Sequence, residues 1–332
     1  KTGGGIKRTG GAGSMTSYRQ SSGRGLAKRS ALRSNLRIIR RRWQMYVMFL
    51  VPFLWVLVFN YVPMYGVQIA FKDFIASNGI SGSRWTGLEN LNRFVTSYMF
   101  RRVMVNTLVI SFYQLLVGFP IPIILAVLIN ECASRRFART VQMISYAPHF
   151  ITTVVIVAII EKMFDYYNGV INTIIQALGG NSIYFLGEGS LFRHIYVLSN
   201  VWQNMGYNSI IYVAALSAID PALEEAATID GATRFQKIRH IDIPSIFPTI
   251  VIMLILRMGQ IMSVGYEMIY LMQNTINLNY SEIISTYVYK QGIQQTQYSF
   301  STAVGLFNSV INLLLIATVN QIARRVGETS LW

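Results

Sequence analysis

DPALEEAATIDGATRFQKIRHIDIPSIFP, residues 220–248, is a polar, charged stretch set between two runs apolar enough to cross a bilayer. Its flanks decide the fold. A hydrocarbon core of about 30 Å takes roughly 20 mostly apolar residues as a helix. Measured that way the chain has six candidate spans, 44–70, 103–130, 141–160, 194–218, 247–271 and 302–322. The runs are continuous and do not alternate with a period of two, which favours helices that satisfy their own backbone over an outer-membrane barrel. Of the 332 residues 52% are hydrophobic and only 13% charged, against roughly 25% charged in a typical soluble domain. The fold class is therefore an all-α integral membrane protein of six transmembrane helices, carrying a cytoplasmic helix-turn-helix loop over 219–246.

The net charge of +15 sets topology rather than a nucleic-acid surface, because the cations are not interleaved with stacking aromatics. Twelve Lys and Arg precede the first span, three follow the second, three follow the fourth and two lie at the C-terminus. On the other side of the membrane there are eight, and Arg257 falls inside a span. Cytoplasmic loops carry the excess of Lys and Arg, so both termini and the 220–248 loop are expected in the cytoplasm. The chain then divides into a basic cytoplasmic arm over 1–43, a six-helix transmembrane domain over 44–322 and a cytoplasmic tail over 323–332. Arg24 to Arg42 sets cations against Leu26, Leu32, Leu36, Ile38 and Ile39, the pattern of a short basic helix on the anionic inner leaflet. The first apolar run is too long for a signal-peptide core and lies beyond a long basic arm, so no cleavable signal is expected. A single cysteine, Cys132, excludes an internal disulfide.

Within the loop, Asp220-Pro221 opens a helix: the Asp side chain can accept from an early backbone N–H, and Pro at the first helical position loses no needed donor. Asp230-Gly231 closes it, since Gly can take the positive φ of a helix C-terminus. A second helix carrying Arg234, Lys237, Arg239 and His240 is expected to end at Pro244 and Pro248, leading into the fifth span. Glu225-Ala226-Ala227, then Gly231, then Ile241-x-Ile243-Pro244 together resemble the cytoplasmic signature loop of permease subunits in binding-protein-dependent ATP-binding-cassette importers. Asn60-Tyr61-Val62-Pro63-Met64-Tyr65-Gly66 and Ala303-Val304-Gly305-Leu306-Phe307-Asn308 extend the likeness to carbohydrate permeases of the maltose-permease group. It covers nearly all of the chain after residue 40. Ile243 stands where Leu is more usual in that pattern, a conservative departure.

The resemblance implies a rigid cytoplasmic lever that docks on an ATPase subunit. It assigns ATPase coupling to Glu224, Glu225, Ala226, Ala227, Asp230, Gly231, Arg234 and Pro244. It further implies a second homologous permease subunit, two ATP-binding subunits that hold ATP and Mg, an extracytoplasmic solute-binding protein, and residence in a bacterial inner membrane among lipid. The cargo implied is an oligosaccharide, and the same subgroup includes importers of acidic oligosaccharides such as alginate fragments.

Arg257 lies well inside the fifth span, where a charge costs on the order of 2.5–3.5 kcal/mol on insertion scales, so it should face the bundle interior or an aqueous cavity. Gln260 and Glu267 follow at spacings that would place them on its helical face. The fourth span carries Asn200, Gln203, Asn204, Tyr207 and Asn208. Amides and phenols hold sugar hydroxyls and rings without a full charge, and these residues form the expected substrate path. The alternative is that they hydrogen-bond helices together, and both readings stand at this level. An anionic cargo would make Arg257 a carboxylate partner, and Lys72, Arg84, Arg93, Arg101 and Arg102 in the first external loop lean the same way. The three external loops, each close to thirty residues, serve either a receptor-facing surface or packing over the bundle.

The chain contains no GxxxxGK[ST] phosphate loop and no HExxH, and His149, His194 and His240 are scattered, so no ATP site, catalytic residue or metal site is expected in it. Nucleic acid is not an expected partner. An ion-coupled carrier or channel is the alternative function, with Arg257 and Glu267 serving the ion. Against it stand the docking loop and the absence of recognisable broken helices or inverted halves, which such carriers often show.

Overall fold

The computed structural model describes residues 41–326. The expected membrane-surface helix over 24–42 up to residue 40, nearly all of the basic arm and residues 327–332 of the tail lie outside the described residues. The chain divides after Gly66 into two compact units. In the first, Trp43–Val56 is α-helical and passes into a π turn at Leu57–Tyr61. Beyond it, Val62–Phe71 winds as a 3-10 helix. The change of winding falls at Pro63, which has no N–H to donate and whose ring crowds the turn before it.

Among the described residues, four helices have the length and apolarity of a membrane span: Trp43–Phe71, Tyr98–Asn130, Arg234–Met258 and Tyr298–Arg325. A fifth arises if the bent pair Arg135–Phe150 and Thr153–Met163 is one span. Gly189–Ser217 is long enough at 29 residues, but its run of amides keeps it below the apolarity of the others, so length and composition alone do not reach the expected count of six. This polar helix is nevertheless the centre of the second unit, packing on Pro120–Asn130, Tyr98–Gly118, Arg135–Tyr146 and Ile243–Met258. At Gly206 it meets another segment's backbone: a Cβ there would lie 2.1 Å from the Ser145 carbonyl oxygen. One apolar core gathers Ile110, Ile156, Phe192, Tyr196 and Met268 along the central helix, and another gathers Val127, Tyr212, Leu216 and Ile246 near the 220–248 loop. Outward-facing Leu128, Leu313 and Leu314 are each more than 60% exposed, an apolar surface of the kind that marks a membrane interaction.

The segments between spans pack closely on the helices. Lys72–Asp73 pairs antiparallel with Arg84–Trp85, and Phe94, fully buried, meets Phe100 and Phe307 edge-on at 5.1 and 5.5 Å. Asn106 donates to the carbonyls of Asn279 and Glu282, and Arg193 donates to its side-chain oxygen. These bonds tie the second and third external connections to one point of the bundle.

Two helices expected to run straight are broken. The third span bends by 98° through a 3-10 turn, Ala147–Phe150, and an extended Ile151-Thr152. Pro148, which cannot continue an α-helix ladder, sits in that turn. The fifth span stops at Met258 and the chain resumes as a helix only at Tyr266–Met272. That break separates Arg257 from Glu267, so the expectation of one helical face carrying Arg257, Gln260 and Glu267 is corrected. The expectation that no broken helix is present is corrected with it. In the loop, the second helix does not end at Pro244: Arg234–Met258 is one continuous helical run, in which Pro244 follows directly on a π turn at Ile238–Asp242 and Pro248 lies inside the α-helix beyond it. A π turn shifts the hydrogen-bond ladder by one residue, which accommodates the missing N–H of Pro244 at the start of the next turn.

Candidate functional site

Backbone groups freed by a helix break at membrane depth must find partners, and such breaks occur where they line a cavity. At the fifth-span break, Ser111 donates to the Ile261 carbonyl. Asn312 accepts from the Met262 N–H at 3.1 Å and donates to Ser263 Oγ at 3.1 Å. At the third-span break, Gln203 donates to the Ile151 carbonyl at 3.2 Å. Polar side chains of the flanking helices thus hold both breaks open.

Two adjoining cavities result. The first, of about 280 Å³, is lined by Ser111, Gln114, Asn200, Asn204, Asn208, Arg257, Gln260 and Ser263. The second, of about 450 Å³, is lined by His149, Thr152, Gln203, Tyr266 and Glu267. Asn200, Asn204 and Gly265 border both. Small-molecule sites typically occupy about 300–1,000 Å³ and carry a few placed polar groups. Together the two cavities lie in that range.

Among the described residues the one ion pair is Lys290–Glu282, at 2.9 Å. Arg257 and Glu267 therefore face the cavities without a counter-ion and without each other. Gln114 donates to Asn200 Oδ1 at 2.6 Å, and Asn204 bonds both the Asn200 carbonyl and His149. The amides of the central helix consequently do both things considered from sequence: they join helices and they line the space between them.

Seven of the eight expected path residues, Asn200, Gln203, Asn204, Asn208, Arg257, Gln260 and Glu267, border these cavities. Tyr207 does not. It lies face to face with His149, ring centres 3.9 Å apart and 7° from parallel, so it buttresses the wall rather than forming it. Sequence reasoning missed Ser111, Gln114, His149 and Ser263. Gln114 carried a legible signal, a lone amide in an apolar run. His149 carried one only in hindsight, a polar residue one step after Pro148.

At the loop, Pro221–Ile229 is a helix capped by Asp220, which accepts from the Ala222 N–H at 3.0 Å. Gly231 has φ of +76°. Its N–H donates to the Thr228 carbonyl at 3.2 Å and the Ala232 N–H donates to the Ala227 carbonyl at 2.9 Å, the paired bonds of a Schellman motif. Thr233 then starts the next helix in a capping box with Gln236. Glu225, Ala226, Asp230, Arg234 and Pro244 are exposed, with Glu224 and Ala227 partly so. Leu223, Ile229 and Phe235 are exposed beside them, Ile229 to 86%. The element is a short rigid helix with uncovered apolar and charged groups.

Residues 118–328 match the family described as binding-protein-dependent transport system inner membrane component. The chain is 39% identical to the polygalacturonan/rhamnogalacturonan transport system permease protein YteP of Bacillus subtilis, over 90% of this chain and 92% of that one. It is 39% identical to protein LplB of the same organism, over 93% and 95%. Among solved structures it superimposes with a TM-score of 0.82 on a chain of a bacterial alginate transporter in complex with an alginate pentasaccharide-bound periplasmic protein. That match is 39% identical and covers 89% of this chain and 99% of that one.

Proposed function

Because the chain belongs to the family of binding-protein-dependent transport system inner membrane components, it is a permease subunit of an ATP-binding-cassette importer for oligosaccharides, and we propose that its cargo is acidic. The observation that carries the proposal is Arg257, a guanidinium opening on an amide-lined cavity with no carboxylate of its own. A cation held at membrane depth is costly unless something compensates it, and a uronic acid carboxylate, which accepts two parallel bonds from a guanidinium, is the matching anion. The names of YteP and of the alginate transporter, both of which handle acidic polysaccharides, support the same class.

In this reading a second, related permease completes the path, and two ATP-binding subunits, which hold ATP and Mg, grip the Pro221–Ile229 helix. An extracytoplasmic binding protein delivers the oligosaccharide to the face opposite that helix. The termini and the 220–248 loop lie in the cytoplasm, as the cation count requires. Closure of the ATPase subunits moves the Pro221–Ile229 lever, and the two broken spans are the elements whose movement would open or close the cavities.

The test is uptake by the reconstituted complex. Hydrogen bonds to charged groups contribute about 1.5–3 kcal/mol, so Arg257→Gln should lower uptake of an acidic oligosaccharide roughly 10- to 150-fold while affecting its carboxyl-reduced analogue far less. Equal effects on the two would remove the carboxylate role.

A further inference from the structure

The two cavities differ in chemistry in a way that specifies more than an acidic cargo. The first holds the Arg257 cation; the second holds the Glu267 carboxylate and His149. Glu267 makes no hydrogen bond or ion pair among the described residues, so its oxygens face the cavity as free acceptors.

The proton on His149 can be placed from its neighbours. Asn204 Nδ2 donates to the Asn200 carbonyl at 2.9 Å, which fixes the amide orientation and leaves Oδ1 toward His149 Nδ1, 3.0 Å away. An amide oxygen only accepts, so Nδ1 must carry the hydrogen, and in the neutral imidazole Nε2 presents its lone pair. The face-to-face stack on Tyr207 holds the ring plane. Two acceptors of this kind, His149 Nε2 and Glu267, call for hydroxyl donors. Glu267 also repels a second carboxylate, which disfavours an acidic ring in the second cavity. Gln203, Thr152 and Tyr266 add neutral polar surface around them.

Resting on the reading of Arg257 above, we propose that the second cavity is a separate saccharide subsite that takes a neutral, hydroxyl-donating ring, so that the cargo passed by this chain carries an acidic sugar next to a neutral one. Asn200 and Asn204, which border both cavities, span the junction between the two rings. His149 and Glu267 then set specificity at the second ring as Arg257 does at the first.

The experiment compares two probes of equal length in the reconstituted complex with its binding protein and ATPase subunits: an oligosaccharide alternating uronic acid with neutral sugar, and an all-uronic-acid oligomer. The same binding protein serves every variant, so any change in the ratio of the two uptake rates arises in this chain. Glu267→Gln preserves shape and removes the charge, and should raise all-acid uptake relative to mixed uptake by about tenfold. His149→Phe, which keeps the ring stack on Tyr207 and loses the acceptor, should shift the ratio the same way by lowering mixed uptake. An unchanged ratio in both variants overturns the second subsite while leaving the Arg257 reading in place. Failure of that earlier reading shows separately, as equal loss of acidic and carboxyl-reduced cargo in Arg257→Gln.

Discussion

Gly206→Ala adds one methyl group at the point where the central helix meets the broken third span. The new Cβ would sit 2.1 Å from the Ser145 carbonyl oxygen, 2.4 Å from its carbon and 2.9 Å from the Tyr146 nitrogen, where ordinary contact begins near 3.4 Å. The obstruction is backbone, so no side chain can swing aside, and restoring contact needs a separation of at least 1.3 Å, the difference between those two distances to oxygen. Overpacking of this kind costs about 1–3 kcal/mol. The movement also carries Ile151 and His149 away from the central helix. The bonds from Gln203 to Ile151 at 3.2 Å and between Asn204 and His149 at 3.0 Å would stretch beyond 4 Å and be lost, at about 1 kcal/mol each. The expected result is a complex that still assembles, with a thermal midpoint roughly 6–20 °C lower for a loss of about 3–5 kcal/mol and with uptake reduced at least tenfold. Differential scanning fluorimetry and radiolabelled uptake into proteoliposomes read the two quantities. An unchanged midpoint together with wild-type uptake would refute the claim that this close approach holds the broken span in place.

Two further outcomes follow from the geometry. At Gly231, with φ of +76°, Val costs about 1–2 kcal/mol in the left-handed region while Asn is better tolerated there, so Gly231→Val should leave ATP hydrolysis running but lower cargo moved per ATP, and Gly231→Asn should be mild. Glu225→Lys should uncouple in the same sense, and normal uptake in both Gly231→Val and Glu225→Lys would end the coupling role of the loop. Lys290→Met strands Glu282, only 6% exposed, without its 2.9 Å partner. Breaking a buried pair costs about 3–5 kcal/mol, most of which the double change Lys290→Met with Glu282→Leu should recover, as a thermal-unfolding comparison of the two would show.

The loop was legible almost atom by atom. Asp220, Pro221 and Gly231 act on neighbours within a few residues, so their identity and order carry the geometry. Its far boundary was not legible: Pro244 and Pro248 read as helix stops, yet the chain passes from a π turn into a helix that contains both, because packing of Ile246 and Ile250 beside Leu216 makes a continued helix more favourable than an end. The lining of the two cavities was likewise readable as a list of residues, Arg257 and the fourth-span amides among them. Tyr207 was misplaced in that list, since nothing local announces that a ring will stack on His149.

By itself the sequence determined the membrane character, the helical class and the loop, because hydrophobic length, charge asymmetry and capping act within a span or a turn. Where the spans break and where the cavities lie follows from how the helices pack. An apolar run has the same composition whether or not it is interrupted, and what permits the interruption is a distant partner for the freed backbone: Ser111 for Ile261, 150 residues away, and Asn312 for Met262, 50 residues away. Those bonds exist only once the helices have packed, and the cavities exist only where those bonds hold the chain open.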